Sequence, residues 1–237
     1  MTISIGTAGW SIARDAADAF PAEGTSLERY AAVFGAAEIN SSFHRPHRAS
    51  TWAKWRDSVP DHFRFSVKIP KTITHVAKLQ GCTDLLTTFL DEVSGLGDKL
   101  SVLLVQLPPK LAFEPGSVTT LLQTIAERSP ARIAVEPRHV SWVDPAAEAL
   151  LVEHCAARVA ADPARDPLLA IPGGWPGLAY WRLHGSPVIY RSSYADRIDD
   201  LAEAISASPA TDRWCIFDNT ASSAATGDAL ALTERLR

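Results

Sequence analysis

Polar and apolar residues alternate strictly over residues 64–69. There Arg64, Ser66 and Lys68 interleave with Phe65, Val67 and Ile69, the period of a strand with one apolar face. Short strand-like runs recur at 3–7, 38–40, 100–106, 132–136, 158–162, 178–184 and 213–218. Between most of them, apolar residues spaced three and four apart predict helices over 27–34, 51–59, 84–96, 118–127, 199–206 and 224–236. Thr25 and Glu28 have the spacing of a capping box ahead of the first helix. Asp144-Pro145 opens a further helix with an N-cap acid and a proline at the first helical position. The Pro/Gly-rich stretch 163–177 predicts a loop that replaces or shortens the helix after strand six, with a lid as the alternative.

Eight strands alternating with helices predict an α/β fold, a TIM-like (β/α)8 barrel in a single domain spanning 1–237. An open doubly wound sheet shows the same alternation, but no GxGxxG or GxxxxGK[ST] run supports one. The 237 residues contain no low-complexity linker that would divide them. The net charge of −4 argues against a broad nucleic-acid surface. The three cysteines, Cys82, Cys155 and Cys215, form no CxxC pair. With no export signal, they are expected reduced, in the cytoplasm. No apolar run approaches the ~20 residues of a membrane helix.

Side-chain alternation assigns the faces of each strand. Phe65, Val67 and Ile69 face the helices, so Arg64, Ser66 and Lys68 point inward. Likewise Ala134 and Glu136 point inward from 132–136, and Tyr180, Arg182 and His184 from 178–184. Glu38 and Asn40 share one face, and Gln106 shares another with Leu104. Asp162 and Asp218 close their strands. Polar inward residues thus collect at strand C-termini, where barrel enzymes carry their chemistry. A buried ion-pair network, such as Lys68 with Glu136 or Arg182 with Glu38, is the structural alternative.

These fragments, in order, resemble the YecE-like family, domain-of-unknown-function family 72. The similar segments are Gly6-Thr7-Ala8-Gly9-Trp10, Glu38-Ile39-Asn40-Ser41-Ser42-Phe43, and Phe65-Ser66-Val67-Lys68-Ile69-Pro70 with Thr74-His75. They continue with Gln106-Leu107-Pro108-Pro109, Glu136-Pro137-Arg138-His139 with Ser141-Trp142, Arg182-Leu183-His184-Gly185 with Tyr194, and Asp218-Asn219-Thr220. The resemblance implies a TIM-like barrel and supplies no reaction. Three positions depart from the family pattern: His44 replaces a Tyr, Asp218 an Asn, and Asp228 a later Asn. The loop after Trp10 also keeps little of the family's aromatic pattern beyond Phe20-Pro21.

The expected function is an anion-accepting site doing acid/base chemistry on a small phosphorylated or carboxylated substrate. Glu136, His184 and Glu38 are the candidate catalytic residues. Asn40, Lys68, Gln106, Arg138, His139, Arg182, Tyr194, Asp218 and Asn219 are the candidate substrate-binding residues. Two alternatives are a metal-dependent hydrolase acting on nucleic acid, with Glu38, Glu136, Asp162, His184 and Asp218 as ligands, and a non-catalytic binding module. Neither HxH nor HExxH occurs, no metal ligands are assigned, and no cofactor motif is evident. Trp52, Trp55 and Trp181 are expected in helix–strand packing. Trp10, Trp142 and Trp175 are candidates to wall the pocket, and Pro108-Pro109 to hold a cis bond.

Overall fold

The apolar runs become strands in the computed structural model, which describes residues 2–237. The strands are β1 (Thr2–Thr7), β2 (Ala36–Ile39), β3 (Arg64–Lys68), β4 (Leu100–Gln106), β5 (Arg132–Glu136), β6 (Ala156–Arg158), β7 (Ala160–Asp162), β8 (Gly173–Gly174), β9 (Leu178–Leu183) and β10 (Asp212–Phe217). The helices are α1 (Ser26–Ala31), α2 (Ser41–His44), α3 (Ala49–Asp57), α4 (Thr83–Val93), α5 (Pro115–Arg128), α6 (Pro145–Glu153), α7 (Ile198–Ala207) and α8 (Ala224–Arg235). Both predicted caps form. The Thr25 hydroxyl accepts from the Glu28 N–H at 3.3 Å and the Glu28 carboxylate from the Thr25 N–H at 2.7 Å. Asp144 accepts from the Ala146 N–H at 2.8 Å. Among the described residues no helix is long and apolar enough to cross a membrane.

The strands form an α/β fold of two largely parallel sheets, ordered β1-β10-β9-β7 and β2-β3-β4-β5-β6-β8. The predicted sixth strand is divided at Val159. Its first part, β6, pairs with β5, and its second part, β7, pairs with β9. On the other side the sheets meet through a parallel bridge, Ala8 to Glu38, and the Gly9 N–H donates to the Glu38 carbonyl at 2.8 Å. A Cβ on Gly6 would lie 2.1 Å from the Ala36 carbonyl oxygen, so glycine permits this close approach of β1 to β2.

The 163–177 segment contains a 3-10 turn, Pro167–Ala170, and then β8, which pairs antiparallel with β6. It therefore runs back along the strand and is not a lid over the strand ends. The Arg158 guanidinium anchors it by donating to the Leu168 and Ile171 carbonyls. Cis peptide bonds precede Pro163 and Pro187, not Pro108 or Pro109.

Two apolar clusters flank the strands. The larger packs helices onto strands and includes Phe65, Val67, Leu103, Val105, Ile133, Val135, Trp181 and Leu183. The smaller lies between the sheets. Alanines 36, 134 and 157 leave room there for Tyr180 and Trp214, whose rings stack 6.0 Å apart at 5°. Small and large residues on facing strands fill the interior, so the space is core rather than channel.

Candidate functional site

Above this interior core, polar side chains from several strands converge. Arg182 of β9 is fully buried, and carboxylates meet it on several sides. Its Nε donates to Glu38 Oε1 at 3.0 Å and its Nη2 to the same oxygen at 2.7 Å. Its Nη1 donates to Glu136 Oε2 at 3.1 Å, and Nη2 lies 3.0 Å from Asp218 Oδ2. His184, one residue beyond β9, bridges two of these acids. Its Nδ1 lies 3.0 Å from Asp218 Oδ2 and its Nε2 3.0 Å from Glu136 Oε1. Gln106 and Arg138 also donate to Glu136 Oε1, at 3.1 and 2.7 Å. The Tyr180 hydroxyl donates to Glu38 Oε2 at 2.8 Å and lies 2.9 Å from the Ser66 hydroxyl.

Burying these ions costs several kcal/mol each unless they are paired, and here every one is paired. Burial alone would raise the Glu136 carboxyl pKa. The charges of His184, Arg182 and Arg138 outweigh it and hold the group well below the usual carboxylate range. Asp218 follows the same balance: burial raises it, while Arg182 and His184 lower it further. Burial opposes the Arg182 charge, but Asp218, Glu38 and Glu136 raise its pKa well above the ordinary value.

A cavity of about 450 Å³ opens over this network at the C-terminal ends of the strands. Asn40, Phe43, Lys68, His75, Gln106, Arg138, Arg182, Tyr190 and Asp218 are among its lining residues. Lys68 is the last residue of β3 and is buried. Its ammonium sits 4.1 Å from the centre of the Phe43 ring, a cation–π contact. No hydrogen bond or ion pair to the ammonium exists among the described residues. Burial and the nearby Arg182 charge push its pKa from 10.5 down to about 8, against the opposing pull of Glu136, Glu38 and Asp218. The Asn40 side-chain carbonyl also lines the cavity, buried and without a partner.

A sequence model of the family described as "Protein of unknown function DUF72" matches residues 4–237. The chain belongs to the DUF72 family. Over 97 residues it is 39% identical to the UPF0759 protein YecE of Escherichia coli K12, a match covering 41% of this chain and 35% of that protein. The match thus spans about a third of that relative's length. A DUF72 structure from Enterococcus faecalis superposes with a TM-score of 0.82 at 23% identity, covering 99% of this chain and 95% of the other. The fold is also similar to that of a D-psicose 3-epimerase from Clostridium cellulolyticum crystallised with D-tagatose (TM-score 0.57, 10% identity, 100% and 98% covered).

Nine of the predicted site residues of this DUF72 chain come together: Glu38, Asn40, Lys68, Gln106, Glu136, Arg138, Arg182, His184 and Asp218. Glu38, Glu136 and His184 lie beneath the cavity rather than on its wall. His139, Tyr194 and Asn219 do not line it. His139 Nδ1 accepts from the Ser141 N–H, capping a 3-10 turn at Val140–Val143. The Tyr194 hydroxyl accepts from the Gly185 N–H and donates to the Asp162 carbonyl, both at 2.9 Å. Asn219 Nδ2 donates to Asp228 at 2.6 Å and to the Ser192 carbonyl. Asp162 turns away from the cavity to pair with Arg197.

None of the three candidate tryptophans lines the cavity. Trp10 packs edge-on against Trp55 and Phe65, Trp142 lies in the helix–strand core, and Trp175 packs on the interior cluster beside the start of β6. The wall instead includes Phe43 and His75, not singled out as site residues from the sequence although both lie in the family-like fragments. His75 sits on a π-helical turn, Thr72–Val76, a distortion frequent at functional sites. Its Nδ1 lies 2.9 Å from the Thr74 hydroxyl and its ring is edge-on to Phe43 at 5.0 Å. Burial, with the charges of Lys68 and Arg138, lowers its pKa despite the pull of Glu136. The three free cysteines lie outside this site, Cys82 and Cys215 buried and Cys155 exposed.

Proposed function

We propose that this chain is an enzyme performing acid/base chemistry on a small anionic substrate, phosphorylated or carboxylated, with Lys68 as the group that meets it. The observation carrying this reading is the Lys68 ammonium, which faces a 450 Å³ cavity with no hydrogen bond or ion pair among the described residues. Three carboxylates stand nearby, yet they serve Arg182, Arg138 and His184. Arg138 adds a second cation on the wall. A lysine titrating near pH 8 holds both protonation states in useful amounts around neutrality.

In this reading Glu38, Glu136 and His184 position Arg182 and the cavity floor, and proton transfer falls to Lys68 and His75. The two sheets act as one closed TIM-like (β/α)8 barrel, joined at the Ala8–Glu38 bridge and at Val159. The likeness to a sugar epimerase suits a small polar substrate. Free cysteines suit the reducing cytoplasm. The metal-hydrolase alternative is less supported, because Glu38, Glu136 and Asp218 converge on a guanidinium rather than on open space.

Titration with inorganic phosphate and sulfate, followed by thermal shift, tests the reading. Stabilisation is expected that weakens as the pH rises through about 8, where Lys68 loses its charge, and that disappears in Lys68→Met. Equal stabilisation of both proteins, or of neither, overturns it.

A further inference from the structure

The two buried lysines of this chain differ in a way that points to covalent chemistry. Of six lysines in the sequence, Lys54, Lys71, Lys78 and Lys110 are exposed. Lys99 is buried and satisfied: its ammonium donates to the Pro60 carbonyl at 2.9 Å and lies 3.5 Å from Asp61. Lys68 is buried to a similar degree and has neither kind of partner, only the face of Phe43. A lysine kept as a buried structural cation would take one of the three carboxylates within the same network. Lys68 instead ends in open cavity space, flanked by Phe43 on one side.

We propose that Lys68 forms an imine with the carbonyl carbon of a small substrate that also carries an anionic group. The proposal rests on the anion-accepting reading above, since it seats the anionic group in the same cavity beside Arg138. A neutral amine is the attacking form, and the low pKa of Lys68 supplies it near neutral pH. The Nζ lone pair forms a C–N bond while the carbonyl oxygen takes a proton, giving a carbinolamine. Loss of one proton from nitrogen and departure of the hydroxyl with a proton then leave the protonated imine and water. No electron acceptor or donor is required. His75 is placed to carry these protons: it lines the cavity, and with Nδ1 held by Thr74, its Nε2 makes no hydrogen bond among the described residues. Phe43 packs against both Lys68 and His75.

Trapping tests the step. The protein is incubated separately with pyruvate and with dihydroxyacetone phosphate, reduced with borohydride and mapped by peptide mass spectrometry. A reduced adduct on Lys68 is expected. At pH about 7, an amine of pKa about 8 is neutral about 200-fold more often than an ordinary lysine near 10.4, so Lys68 should outcompete the exposed lysines. Lys68→Arg should keep phosphate-induced stabilisation and lose the adduct, and His75→Gln should slow adduct formation without abolishing phosphate binding. No adduct with either probe, or adducts confined to exposed lysines, overturns imine formation, and phosphate binding that needs a cation at position 68 would then leave the anion site standing. An adduct at Lys68 without any phosphate binding would instead support the imine and reject the anion reading. A His75→Gln variant trapped at the unchanged rate removes the proton-carrying role from His75.

Discussion

Replacing Lys68 with methionine should make the protein more stable. Methionine matches the length of the lysine stem and removes the charge. In the folded protein the lysine pKa falls from 10.5 to about 8, which means that keeping the amine protonated inside the cavity costs about 3 kcal/mol at neutral pH. Loss of the Phe43 cation–π contact removes about 1 kcal/mol of stabilisation, leaving a net gain of about 2 kcal/mol. The pH dependence has a definite sign. Below about 8 both folded and unfolded chains carry the proton, so the penalty is full. Between about 8 and 10.5 the unfolded chain binds more protons than the folded one, and the wild type gains stability as the pH rises. The gap between variant and wild type should therefore close across that window. Urea unfolding at a series of pH values reads both quantities, with a midpoint rise of about 0.7 M in the variant at neutral pH if the slope is about 3 kcal/mol/M. A variant no more stable than wild type at neutral pH, or a gap that stays constant up to 10.5, refutes the argument that Lys68 is a buried, uncompensated cation.

Glu136→Gln should destabilise by about 3–5 kcal/mol, because the buried Arg182 guanidinium keeps its charge but loses a charged partner; chemical denaturation at neutral pH measures it. Glu136 and Asp218 titrate lower in the folded protein than their ordinary 4.5 and 3.8, so their contribution is complete above those values and lost as the pH falls below them. Thermal midpoints from pH about 5 to about 3 should accordingly fall more steeply for wild type than for the Gln variant. Gly6→Ala should lower stability by about 1–3 kcal/mol or more, because the new methyl would sit 2.1 Å from the Ala36 carbonyl oxygen; a thermal melt reads this. Tyr194→Phe should cost about 1–3 kcal/mol by stranding the Gly185 N–H, with faster amide exchange at Gly185 as the local signature.

Local pattern carries β4 and β5 to their observed ends, because runs such as 100–106 and 132–136 are apolar and β-branched with turn residues beside them. Period two also orients Ser66 and Lys68, Ala134 and Glu136, and Tyr180 and Arg182 as observed. Most of the failures depend on a partner distant in sequence. The division of the sixth strand at Val159 follows from β5 on one side and β9 on the other. The Gly173–Gly174 pairing depends on Arg158, whose guanidinium would meet a Cβ on Gly173 at 2.1 Å. Trp10 lies just beyond the end of β1, but Trp55 and Phe65 draw its ring into the packed layer. His139 and Tyr194 carry groups suited to binding, yet Ser141, Gly185 and Asp162 occupy them.

Parity likewise treats Lys68 and Arg182 as two equivalent inward cations, and the structure separates them. Arg182 offers a planar fork, and Glu38, Glu136 and Asp218 can all meet it without competing for the same donor geometry. An ammonium at that position would present a compact charge and could not span three acids so arranged. Lys68, on a different strand, gains no carboxylate because each is already engaged, and its charge is left to whatever enters the cavity. The buried network therefore does more than support the floor. By committing the acids to Arg182 and His184, it keeps them from neutralising Lys68 through a salt bridge, and that is the condition under which a buried lysine near a cluster of carboxylates can still bind an anion or attack a carbonyl.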